Sequence, residues 1–192
     1  MSVKVIWSSF RLVLLSLIVL GLGYNLVVVG IGQVVFPNQA NGSLIKHNGQ
    51  IIGSRLIGQQ FSSARFFIGR PSATSPAYNA ASSSASNYGP TNPALLKEIR
   101  TNLAAVLKAN PGVKPSQVPP SLVESSASGL DPDISPAAAY LQVPRVAKAN
   151  HLPVSTVQKL VASHITGRFI GIYGAPHVNV LELNLALLKL AK

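Results

Sequence analysis

The chain has 192 residues and no cysteine, so it can form neither a disulfide framework nor a thiolate metal site. Acids are almost as scarce. Glu98, Glu124, Asp131, Asp133 and Glu182 are the whole set against 16 Lys and Arg, which gives a formal net charge of +11. These bases are dispersed singly, without a basic run or interleaved aromatics, so nucleic acid is not the expected partner. Anionic lipid headgroups or a membrane partner suit the charge better. The four histidines (His47, His151, His164, His177) include no pair three or four apart on a helix, which argues against a metal site. No glycine-rich loop ending in Gly-Lys-Ser/Thr is present, so the chain is not itself a P-loop ATPase.

Charge is absent altogether between Arg11 and Lys46, and from Leu12 to Val35 nearly every residue is Leu, Val, Ile or Gly. A bilayer core about 30 Å thick needs roughly 20 apolar helical residues, so this run can span it. A secretory signal would have a shorter apolar region and a small-x-small cleavage site, and Val35-Phe36-Pro37 offers none. The division expected is therefore a cytoplasmic N-terminus over 1–11, a transmembrane helix over 12–35 and one outer domain over 36–192. Lys4 and Arg11 precede the span, so the positive-inside bias places the short N-terminus in the cytoplasm and the large domain outside. Within the span, Gly21, Gly23, Gly30 and Gly32 allow close helix approach. Asn25 is a polar group that needs a partner in hydrocarbon, either another subunit or its own backbone.

Phe36-Pro37 breaks the chain at the membrane surface. Asn48-Gly49 between Leu44-Ile45 and Ile51-Ile52 predicts a hairpin. Phe66–Ile68 reads as a further strand, and the Ser-, Ala-, Asn- and Pro-rich stretch 71–93 as a long loop, either functional or mobile. Asn92-Pro93 starts a helix whose Leu95, Leu96, Ile99, Leu103, Val106 and Leu107 form one apolar stripe, ending near Asn110-Pro111-Gly112. After a linker over 115–120, Ser135-Pro136 opens a short helix interrupted at Pro144. A helix over 154–165 is capped by Ser155, Phe169–Tyr173 reads as a strand, and Asn179 caps a final amphipathic helix to about Leu190. Helices and short strands mix without regular alternation, so the fold class is α+β.

Little of this points to chemistry. Ser43-Leu44-Ile45-Lys46 matches the Ser-x-x-Lys pattern of penicillin-interacting enzymes. With 22 serines and nine lysines, about one such match arises by chance, and the accompanying Lys-Thr-Gly element is missing. Asp131-Pro132-Asp133 holds two of the five acids, but its place before Ile134-Ser135-Pro136 suits a turn and a helix N-terminus better than paired catalytic carboxylates. The residues read as a binding or structural subunit. The alternative is a stand-alone membrane-anchored serine enzyme or binding module. Scarce carboxylates also predict an outer domain tolerant of acid, because few native ion pairs are lost on protonation.

Several blocks nevertheless carry a resemblance. They are FPNQANGSLI (36–45), GSRLIGQQF (53–61), GRPSAT (69–74), YGPTNP (88–93), SASGLDPDISPAAA (126–139), QVPRVAKA (142–149) and VNVLELNLAL (178–187). With them the chain resembles the C subunit of the Kdp-type potassium-transporting P-type ATPase of bacteria and archaea. Asn25 departs from the proline frequent after a span tyrosine in that family, and Ala175 and His177 replace more usual polar or basic residues. The resemblance implies a single-pass subunit of the cell (inner) membrane, non-catalytic itself, in a potassium-uptake complex. Its implied partners are a channel-like potassium-binding subunit, a P-type ATP-hydrolysing subunit and a small single-span subunit. This chain lacks the Asp-Lys-Thr-Gly-Thr motif that such a pump subunit requires.

The resemblance further implies a catalytic chaperone that raises the pump's affinity for ATP, with Gln142 matching a glutamine proposed to touch nucleotide. ATP itself would be held mainly by the pump subunit. The topology argument puts Gln142 across the membrane from cytosolic ATP, so any effect would be a coupling through membrane subunits. Asn25, Gln33, Phe36, Gln39, Asn41, Gly58, Gln59 and Arg70 are the candidates for the partner interface.

Overall fold

The computed structural model describes residues 2–191. They form two compact units that divide between Ile52 and Gly53. The first is dominated by one continuous helix, Val3–Val35, built as α1 (Val3–Ser16), a π-helical stretch (Leu17–Gly23) and α2 (Tyr24–Val35). Its 33 residues, none buried within the chain, run about 50 Å at 1.5 Å per residue. That is longer than a bilayer core of about 30 Å, and its first turns carry Trp7, Phe10 and Arg11. There Trp7 stacks on Phe10 at 5.5 Å and the Arg11 guanidinium lies 5.3 Å over the Trp7 ring, an aromatic and cationic collar suited to headgroups.

The π-helical turn is local to two glycines. Asn25 Nδ2 donates to the Gly21 carbonyl one turn back, within the same helix. At Phe36 the backbone leaves helical geometry, and Pro37 then opens the four-residue α3 (Pro37–Ala40). The ribbon of β1 (Leu44–His47) and β2 (Gln50–Ser54) turns at Asn48 and Gly49, both left-handed with φ of +49° and +80°.

The second unit contains α4 (Pro93–Ala109), β3 (Asp133–Ile134), α5 (Pro136–Ala149), α6 (Val154–Ser163), β4 (Ile165–Thr166), β5 (His177–Asn179) and α7 (Val180–Leu190). The strands form an antiparallel sheet in the order β3-β5-β4, with Ile134 and Ile165 both opposite Val178. α5 packs along α6, and α7 packs on α6 and β5. The core between them is Phe67, Ile134, Val143, Val146, Val157, Val161, Val178, Leu183 and Leu187. Mixed helix and antiparallel sheet make this unit α+β.

Side-chain caps set three helix starts. Asn92 accepts from Ala94 N at 2.8 Å, Ser135 from Ala138 N at 3.3 Å, and Asn179 from Glu182 N at 3.1 Å. α6 instead begins after Pro153, so Ser155 lies inside it and is not its cap. Pro144 does not interrupt α5, as the sequence suggested. The one amide hydrogen it removes would have met the Tyr140 carbonyl, and Tyr140 and Pro144 lie on the exposed face, where water can replace that bond.

Two expected strands are absent. Phe66–Ile68 forms no strand: Phe66 closes a bend by donating to Ser63 O, and the backbones of Phe67 and Ile68 are paired with side-chain amides. Phe169 and Tyr173 bridge only to each other, closing a tight turn. Asp133 lies in β3, not at a helix N-terminus, and Asp131 makes the turn by accepting from Asp133 N at 3.0 Å. No residue of α4 is fully buried, so its apolar stripe covers only the rim of the core.

Candidate functional site

Two polar side chains stand on core-facing helix positions and are 1% exposed: Gln142 on α5 and Asn184 on α7. A buried amide must be satisfied, and both are satisfied by the backbone of the segment between them. Asn184 Oδ1 accepts from Phe67 N at 2.8 Å while its Nδ2 donates to Phe67 O at 2.9 Å. Gln142 repeats this on the next residue, accepting from Ile68 N at 2.8 Å and donating to Ile68 O at 3.1 Å. Two amides thus take the place of a neighbouring strand, and they hold Phe67 fully buried.

Arg145, one turn after Gln142, extends the clamp. Its Nη2 donates to Gln142 Oε1 at 2.6 Å, its Nη1 to the carbonyls of Ala64 (2.7 Å) and Phe66 (3.0 Å), and its Nε to Asn110 Oδ1 at 3.3 Å. Burial lowers the Arg145 pKa from its ordinary value, and these neutral acceptors compensate the charge without a carboxylate. Asn150 finishes the grip, donating to Arg65 O at 2.8 Å and accepting from Arg65 Nε at 3.2 Å.

Beyond this clamp, Arg70 ties the same segment to the arch before β3. It pairs with Asp131 at 3.0 Å and donates to the carbonyls of Ser125 (3.2 Å) and Glu124 (3.4 Å). Tyr78 Oη donates to Arg70 O at 2.6 Å, and burial, with Asp131 close by, pushes the phenol up to about 12. The long loop after Pro71 is tied down too. Ser72 Oγ donates to Gly129 O at 2.6 Å and accepts from Tyr78 N at 2.9 Å, and Ser84 N donates to Ser128 O at 3.1 Å.

Gly58 fits only because it lacks a side chain: a Cβ there would stand 2.5 Å from Tyr78 Cε1 and 2.6 Å from Asp131 O. A cavity of about 380 Å³ opens beside the network, walled by Phe61, Ile68, Arg70, Tyr78, Val106 and Leu122. Among the described residues, no three His, Asp or Glu side chains gather as a metal site would require.

At the sheet edge, Asp133 Oδ2 is 3.9 Å from His177 Nε2, while its Oδ1 is buried without a hydrogen-bond partner. Burial raises the Asp133 pKa above its ordinary value; nearby Asp131 adds to this, while His177, the Asn179 amide and Arg55 oppose it.

Five residues of this network fall in the blocks noted in the sequence: Gln142 and Arg145 in one, Asp131 in another, Arg70 in a third and Asn184 in a fourth; Tyr78, Asn110 and Asn150 lie outside them. A family model described as K+-transporting ATPase, c chain, matches residues 6–189. The chain belongs to the KdpC family. It is 52% identical to the potassium-transporting ATPase KdpC subunit of Caldanaerobacter subterraneus subsp. tengcongensis, over 94% of this chain and 93% of the relative. It is 53% identical to the KdpC subunit of Acidobacterium capsulatum over 91% and 92% of the two chains. For that of Ralstonia nicotianae the identity is 54%, over 88% and 83%.

The interface candidates divide between the two units. In the first, Gln33 Oε1 accepts from Asn41 Nδ2 at 3.0 Å, Asn41 also donates to Pro37 O at 2.6 Å, and Phe36 and Gln39 are exposed. In the second, Gly58 is buried, Gln59 half-buried, and Arg70 engaged internally as described. Ser43 is 6% exposed in a left-handed turn with φ +49°, and Lys46 lies in β1. Sequence reasoning missed Asn184, Arg145 and Tyr78. The signal for Asn184 was available: it stands four residues after Val180 and three before Leu187, on the apolar stripe of α7.

Proposed function

We propose that this KdpC-family chain is a non-catalytic accessory subunit of a potassium-transporting P-type ATPase. Its helix joins the membrane part of the complex, and residues 36–192 lie on the extracytoplasmic side near the potassium entrance. Its partners are the channel-like subunit, the ATP-hydrolysing subunit and the small single-span subunit.

One observation carries this reading. Buried polar side chains are spent on the chain's own backbone: Gln142, Asn184 and Arg145 together bond the backbone of Ala64, Phe66, Phe67 and Ile68. A nucleophile with its base, or a set of phosphate-binding donors, would leave some of these groups turned outward. Gln142 in particular is saturated by Ile68, Ala138 and Arg145. Its role in this reading is to hold the 64–70 segment, and any rise in the pump's ATP affinity is a coupling passed through the membrane subunits. Affinity purification of the full chain from native membranes in mild detergent tests the assignment. The other ATPase subunits should elute with it; a chain that elutes alone contradicts it.

A further inference from the structure

Residues 167–174, Gly-Arg-Phe-Ile-Gly-Ile-Tyr-Gly, connect β4 toward β5. Four large apolar side chains there face solvent: Phe169 is 70% exposed, Ile170 73%, Ile172 70% and Tyr173 67%. Elsewhere in the second unit, exposed large apolar side chains such as Leu56, Tyr88, Leu96 and Val154 stand singly. Scattered single residues are ordinary; four within five positions mark a contact surface.

The tip has a fixed shape. Phe169 N donates to Tyr173 O at 2.9 Å, Tyr173 N to Phe169 O at 3.0 Å, and Gly171 N to Arg168 O at 3.1 Å. Its corner puts Ile170 at φ +52° and Gly171 at φ +73°. A β-branched residue in the left-handed region is costly and persists only where the surroundings fix the shape. The fixed charge on the tip itself, Arg168, is cationic. From α6 to the end of β5 the chain carries Lys159, His164, Arg168 and His177 and no carboxylate. Asp133, on the neighbouring strand β3, faces His177 at 3.9 Å.

We propose that residues 168–173 are a docking finger that seats in an apolar cleft rimmed by carboxylates on another subunit of the potassium-transporting ATPase. This rests on the accessory-subunit reading. The mouths of cation-conducting proteins carry Asp and Glu, which complement Arg168 and the basic elements beside it. Phe, Tyr and Arg are near the tip, and aromatic and Arg side chains anchor protein interfaces. A bilayer suits the finger less well. Gly167, Gly171 and Gly174 leave irregular backbone uncovered, which hydrocarbon does not tolerate, and a lipid phase gains nothing from a fixed corner.

The test uses the full chain co-expressed with the other ATPase subunits, with photoreactive benzoylphenylalanine in place of Tyr173. Irradiation should give an adduct with another ATPase subunit. Arg168→Glu should lower its yield by about tenfold or more, and Arg168→Lys should keep it. Phe169→Asp, at a side chain that packs little within the chain, should leave the melting temperature unchanged and lower recovery of the complex by a similar factor. Adducts only with lipid, only with a second copy of this chain, or none at all in a complex that still purifies intact would overturn the finger while leaving the subunit assignment standing. A wild-type chain that never purifies with the other subunits would overturn both.

Discussion

Asn184→Ala removes the donor and the acceptor that satisfy both backbone groups of Phe67, while leaving Phe67 itself fully buried. Each orphaned buried group costs about 1–3 kcal/mol, so the variant should lose about 2–6 kcal/mol. At roughly 2–4 °C per kcal/mol for a domain near this size, its melting temperature should fall by roughly 5–20 °C. Circular dichroism melts of the full chain in detergent micelles measure this. Asn102→Ala is the internal comparison. It removes a single 3.0 Å bond to Val123 O from a half-buried site, for about 1 kcal/mol. Asn184→Asp sharpens the test. A carboxylate keeps the bond from Phe67 N but cannot donate to Phe67 O, and its charge is buried, so its folded pKa is raised. Its stability is therefore fully present below the unfolded value, is lost as pH rises through the folded value, and should recover on acidification. If Asn184→Ala melts within 2 °C or so of the wild type, the amide clamp does not hold the 64–70 segment and the structural argument fails.

Other outcomes follow from the same geometry. Asp133 has a raised folded pKa, so protonating it stabilises the fold; that gain is complete below its unfolded value near 4 and is lost as pH rises through its folded value. Melts at stepped pH should show the wild type gaining on Asp133→Asn as pH falls from 7 toward 4, and a gap that narrows instead would contradict the assignment. Gly58→Ala must push a Cβ against Tyr78 and the Asp131 carbonyl, and should cost about 1–3 kcal/mol in a denaturant titration. An unchanged midpoint would mean the arch gives way easily. Tyr78 should titrate late: ultraviolet difference spectra at rising pH should show a tyrosine step near 12 that Tyr78→Phe deletes.

The features legible in the sequence are those set by local rules. Asn92-Pro93 and Asn179 cap α4 and α7, and Asn48-Gly49 turns the hairpin, because each acts within three or four residues. The failures have non-local causes. Phe66–Ile68 has strand composition, yet its hydrogen bonds go to amides 74 and 117 residues away, which no local pattern encodes. Phe169–Tyr173 alternates like a strand, but left-handed Ile170 and Gly171 fold it back on itself. Pro144 was read as a helix break because its exposure on α5 was unknown. Of the network, Gln142 and Arg70 entered through family resemblance, whereas Asn184 was recognisable as a polar residue on an apolar stripe and was passed over. The span was the clearest feature of all, because composition alone defines it.

The placement of the large domain is the claim on which the functional account turns, and one labelling experiment tests it. The chain has no cysteine, so a single Ser84→Cys, at an exposed position of the long loop, is the one thiol on this subunit, read on its own gel band against the cysteine-free wild type. A membrane-impermeant thiol reagent applied to intact cells expressing the whole complex should label it before lysis. Labelling that appears only after lysis would put the domain in the cytosol beside ATP and contradict the account.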